Sequence, residues 1–234
     1  FNLLPASLYF PGLSPILFPN LTAAGGVNAA ALPIANKVTV AEVAYGRATN
    51  FDQAGYFAGV TSTGKKFGVN AAYYASDSDS LSHNTLVGAG LRVSNNVSLG
   101  IGVRSFDLSG NSLHSVDLGM VAGKDSGFTF GFVYYNITGS GQLSTGIGFG
   151  GDKIYNMEVN LLLPPFSGGS YALTAAITIN PAARFGVSFK TSYFSASAGY
   201  EHVLGGIIWP DDHLSFLVQF GTPSIWTGGL SFVF

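Results

Sequence analysis

Trp226-Thr227-Gly228-Gly229-Leu230-Ser231-Phe232-Val233-Phe234 decides how this chain is read. Trp226, Gly228, Leu230, Phe232 and Phe234 fall on one side of an extended strand, and Thr227, Gly229, Ser231 and Val233 on the other. Successive side chains of a strand alternate between faces, so this is a period-2 element with one apolar side. The pattern recurs upstream. Val97, Leu99, Ile101 and Val103 alternate with Ser98, Gly100, Gly102 and Arg104. Val87, Ala89, Leu91 and Val93 oppose Gly88, Gly90 and Arg92, and Phe128, Phe130, Phe132 and Tyr134 oppose Thr129, Gly131 and Val133.

Composition says where such strands belong. Of the 234 residues, 47% are hydrophobic and only 9% charged. Soluble domains carry about 25% charged residues, so this chain lacks the charge to dress a water-facing surface. It also lacks the run of about 18 apolar residues from which a transmembrane helix is recognised. Closed strand pairing is the other way to satisfy every backbone group in lipid. The expected fold is therefore all-β: a transmembrane antiparallel β-barrel, or a composite β-wall, of about twelve strands. Net charge is −2, which gives no basic field for nucleic acid. The absence of cysteine removes disulfides, thiolate metal sites and a Cys nucleophile. The start at Phe1 leads us to expect a mature product whose export signal has been cleaved.

Two regions follow. Residues 1–36 carry no charge but contain Pro5, Pro11, Pro15, Pro19 and Pro33 among Leu3, Leu4, Leu8, Tyr9, Phe10, Leu13, Ile16, Leu17 and Phe18. Proline keeps them out of a regular central strand, and their apolar surface must be covered. They are expected to be a plug or collar, or an oligomer-contact segment, with the neighbouring subunit favoured as the cover. Residues 37–234 form the membrane domain. Strands are expected at 37–49, 53–63, 66–76, 84–94, 96–106, 114–124, 127–137, 152–162, 169–179, 183–203, 212–221 and 225–234, with 77–83, 107–113 and 138–151 as outer connections. Between Ala183 and Val203 the apolar parity inverts; with no Gly, Asn, Asp or Pro at Ser192-Tyr193, a bulge is preferred there to a hairpin.

The inner face is mostly small residues with scattered charges: Glu42, Arg92, Arg104, Asp117, Glu158, Arg184, Lys190 and Glu201 are the expected pore-lining residues. A water-filled porin is ringed by charge. Here the lumen is narrow and admits the amino-terminal segment, or holds hydrophobic molecules, or the wall belongs to a larger assembly with lipid on both sides. No catalytic, cofactor or metal site is expected. His83 and His114 are read as loop residues, and His213 follows Asp211-Asp212 in a turn. Asp77-Ser78-Asp79 lacks the later glycine and glutamate of a calcium loop. Gly146 to Gly151 has no following helix or lysine and is read as a flexible loop or strand extension.

The closing run from Trp226 to Phe234 resembles the last strand of bacterial outer-membrane barrels, which implies an assembly signal at Phe232 and Phe234 read by the barrel-assembly machinery. Asn28-Ala29-Ala30-Ala31-Leu32-Pro33 is similar to the Asn-Pro-Ala box of the long-chain fatty-acid transporter family, with alanine at position 29 where that box has proline. Asn180-Pro181-Ala182 has the box itself, at a late position where the family does not place it. Low charge, a small-residue inner face and an uncharged amino-terminal collar look like the porin-like proteins of predatory bacteria, which implies ring-shaped oligomers enclosing lipid. The resulting expectation is a non-enzymatic porin-like protein of the bacterial outer membrane, a homo-oligomer in contact with membrane lipids. The alternative is a monomeric fatty-acid-transporter-like channel for hydrophobic compounds, with residues 1–36 as its plug.

Overall fold

A computed structural model describes residues 28–34, 38–48, 53–76, 81–108, 111–123, 127–139, 141–151, 155–163, 170–179, 183–192, 200–208, 214–222 and 225–233. Fourteen antiparallel strands pair in chain order, and the first pairs with the last, so one chain closes the barrel by itself. They are β1 Val38–Ala48, β2 Gln53–Thr63, β3 Phe67–Ser76, β4 Leu81–Ser94, β5 Val97–Leu108, β6 Asn111–Gly123 and β7 Gly127–Tyr135. The second half comprises β8 Gln142–Gly151, β9 Tyr155–Leu163, β10 Ser170–Ile179, β11 Ala183–Ser192, β12 Tyr200–Ile208, β13 Leu214–Thr222 and β14 Ile225–Val233. A composite wall is not required: Glu42 of β1 stands directly opposite Ser231 of β14, and the ladder between them runs from Val40↔Val233 to Ala48↔Ile225.

The expected count of twelve is corrected twice. Residues 138–151 were expected to be a connection, but β8 occupies most of them. Gly146, Gly148 and Gly150 lie buried on the inner side, while Ile147 and Phe149 are exposed on the outer side. A glycine-rich run reads as a loop only when its large residues are overlooked. The segment 183–203 is two strands, not one bulged strand. Twenty-one extended residues would span about 70 Å, against the ~9–11 residues a membrane strand needs, so length decides for a connection where turn chemistry was silent. The missed strand and the missed break cancel in parity. Both ends of the strand domain therefore still lie at one rim, but the connection 164–169 moves to the far rim and 180–182 to the rim of the termini. Two further connections are shorter than expected, since β4 already begins at Leu81 and only 109–110 separate β5 from β6.

The outer face is the apolar one. Leu99, Ile101, Val103, Val87, Leu91, Phe128, Phe130, Ile147 and Phe149 are all exposed there, and Phe128 is 66% exposed. Val97 is half-buried and shares their side. This is the belt that lipid tails solvate in place of water. The inner face carries the small and polar residues, and its buried cluster is Ala30, Ala31 and Val121.

Candidate lumenal site

Asn28 and the 3-10 helix Ala29–Ile34 sit against the inner face of β2 to β6. Asn28, Ala30, Ala31 and Leu32 are at most 1% exposed. The wall receives them through one row of the sheet. Gly68 of β3 pairs with Gly90 of β4, Gly90 with Gly100 of β5, and Gly100 with Gly119 of β6. Directly paired residues project from the same face. The four glycines therefore make a groove across four strands, and the helix lies along it. A Cβ on Gly68 would come within 2.6 Å of the Leu32 Cβ, and one on Gly90 within 2.8 Å of the Pro33 Cδ. One on Gly100 would lie 2.7 Å from the Ala30 Cα, and one on Gly119 would press on the Asn28 side chain. Only glycine leaves room for this backbone-on-backbone approach.

Asn28 fastens the end of the segment. Its Oδ1 accepts from the Ala30 amide at 3.0 Å, its carbonyl accepts from the Ala31 amide at 3.0 Å, and its Nδ2 donates to the Phe132 carbonyl of β7 at 3.5 Å. The first two bonds start the helix in the manner of an N-cap. The third ties it to the wall. The apolar residues 1–27, for which a neighbouring subunit is the expected cover, lie outside the described residues; residues 28–33 are buried against this chain's own barrel.

The next row toward the far rim reads Asn70, Gly88, Gly102, Asp117. At one end, Asp117 is 5% exposed and doubly engaged: Oδ2 accepts from Arg104 Nε at 2.6 Å, and Oδ1 accepts from the Asn136 amide at 2.8 Å. The Arg104 guanidinium carbon lies 5.0 Å from the centre of the Tyr135 ring. Asn136 has φ 54°, a left-handed conformation that asparagine tolerates, and it turns the chain out of β7. A buried pair bonded this way is fully hydrogen-bonded on its carboxylate, which a dry site demands.

Among the expected pore-lining residues whose side chains are described, Arg104 and Asp117 are in contact. Arg92 is half-buried and pairs in register with Ser98 near the terminal rim. For Glu42, Glu158, Arg184, Lys190 and Glu201 the backbone register is described. Glu158 is opposite Gly148 and Ala176, Arg184 opposite Thr178, Lys190 opposite Ala172 and Glu201, and Glu42 opposite Gly59 and Ser231. Followed from strand to strand, these pairings belong to the same face as Arg104 and Asp117. Phe232 pairs with Ala41 and Leu214, while Phe234 lies outside the described residues, as do His213 and Asp77-Ser78-Asp79. His83 and His114 are strand residues of β4 and β6, not loop residues. Sequence reasoning singled out the Asn28–Pro33 box but missed the glycine row that receives it. The glycines were visible singly, but their alignment depends on register.

Neither protein-family models nor curated protein sequences match this chain. Solved structures do. The CymD monoaromatic hydrocarbon channel superposes over 98% of this chain and 96% of its own, at 10% identity and a TM-score of 0.65. The toluene transporter TodX of Pseudomonas putida superposes over 97% of this chain and 95% of its own, at 9% identity and a TM-score of 0.66. A bacterial polysaccharide outer membrane secretin matches more loosely, over 86% of this chain and 99% of its own at 9% identity, with a TM-score of 0.55. The fold is that of a bacterial outer-membrane β-barrel.

Proposed function

We propose that this protein is an outer-membrane channel for small hydrophobic compounds, with Asn28–Ile34 acting as a plug in its lumen. The observation that carries this reading is the seating of an apolar segment on the four-glycine groove inside a barrel closed by its own chain. An open porin needs a hydrated lumen lined with charge. Here Leu32, Ala30 and Ala31 fill space along the wall, and on its far-rim side Arg104 and Asp117 neutralise each other, while Arg92 stands on the terminal-rim side. Such an interior favours apolar or weakly polar solutes over ions. The hydrocarbon channel and the toluene transporter that share the fold support the same solute class.

The test is reconstitution of the full chain in phospholipid vesicles with radiolabelled toluene and, separately, conductance across a planar bilayer. Toluene uptake above that of protein-free vesicles, with small or no ion steps, is the expected result. Large, sustained ion steps without a toluene effect would overturn the reading in favour of an open porin. We propose separately that the barrel is a porin-like homo-oligomer in contact with lipid, inserted by the barrel-assembly machinery through Phe232 and Phe234. Native mass in detergent tests its first part, and replacement of both phenylalanines, followed by measurement of outer-membrane insertion, tests its last.

A further inference from the structure

We infer that Asn70 is a positioning residue that limits how firmly the plug seats; the inference rests on the plug reading above. Two asparagines meet this segment and behave oppositely. Asn28 has both ends of its amide bonded. Asn70 of β3 is 4% exposed, and among the described residues its Oδ1 has no hydrogen-bond partner. It occupies the row next to the glycine groove, and its pair partner is Gly88. A Cβ on Gly88 would strike the Asn70 Oδ1 and would lie 3.3 Å from the Ala29 Cβ, so amide, glycine and plug share one contact. The plug thus helps keep water from this acceptor.

A buried acceptor without a donor keeps its full desolvation cost, whereas the same group in water does not. The cost falls on the seated state alone, because withdrawal of the plug opens the row to lumenal water. Asn70 therefore shifts the balance toward withdrawal, while Asn28 and the glycine groove hold the plug in place. An apolar residue of like size at 70 would leave the groove intact and remove the counterweight.

The absence of cysteine makes a single reporter clean. Ala31, 1% exposed in the seated plug, is replaced by cysteine in the full chain, reconstituted in vesicles, and its labelling by a water-soluble maleimide is timed. Asn70→Leu should slow labelling about tenfold, the ratio that an ordinary unsatisfied buried acceptor sets. Asn70→Ala, which also removes the amide, should slow it too and serves if the leucine variant does not fold by heat-modifiable gel mobility. Gly88→Ala, which crowds the shared contact, should speed it. Labelling that is unchanged or faster in the folded Asn70 variants overturns the inference. Toluene uptake measured on the same vesicles separates the two readings. Slowed labelling without any toluene uptake upholds the role of Asn70 and removes the channel. Uptake with unchanged labelling does the reverse.

Discussion

The two faces of β5 carry the same number of residues and have opposite work. Outward, Leu99, Ile101 and Val103 are large and exposed; inward, Ser98, Gly100, Gly102 and Arg104 are small or polar and are buried or half-buried. In a soluble barrel the large residues would fill the interior. Here the exterior is lipid, so bulk faces out, and the interior is kept small because another piece of the chain must enter it. The difference teaches that burial here marks the polar side. A core list drawn by hydrophobicity alone would invert this protein.

Three substitutions probe that contrast. The largest effect is expected at the inner polar pair. Asp117→Ala leaves Arg104 buried without its carboxylate and frees the Asn136 amide, and should cost about 3–5 kcal/mol. Urea unfolding in vesicles, followed by tryptophan fluorescence, measures it. The double variant Arg104→Met with Asp117→Leu should recover most of the loss, and a double variant as unstable as Asp117→Ala would show that the pair's charge is not what matters.

On the outer face, Leu99→Arg places a cation in the apolar belt and should cost about 2–4 kcal/mol near the bilayer midplane. The same unfolding assay reads it. A cost near zero would reverse the assignment of faces. The smallest of the three is Gly100→Ala, one methyl pushed into the backbone of Ala30. Overpacking of this kind costs about 1–3 kcal/mol, here falling on the seated plug more than on the barrel. Amide hydrogen exchange at Ala30 and Ala31 should rise while the exchange of β9 to β12 stays as it was. A uniform rise across the barrel would mean that the groove serves the wall and not the plug.

Alternation alone determined that this chain is a membrane β-protein, which side of most strands meets lipid, and where eleven of the fourteen strands run, to within a few residues at their ends. These properties are local: each follows from whether neighbouring residues are large or small, and period 2 is written in the order of the residues. Strand number failed at Gly146–Gly151 and at Ser192–Tyr200, where local chemistry gave the wrong sign or none, and where only the fixed width of the sheet decides. The lumenal site was decided by tertiary structure. Gly68, Gly90, Gly100 and Gly119 are scattered over 52 positions of sequence and become one groove because the ladder registers of β3 to β6 bring them abreast. The same registers set Asn70 and Asp117 at the two ends of one row, leaving the Asn70 amide oxygen without a donor among the described residues and giving the Asp117 carboxylate two. Register is a property of pairs of strands, fixed by turns and by closure of β1 on β14, and no single strand's sequence contains it.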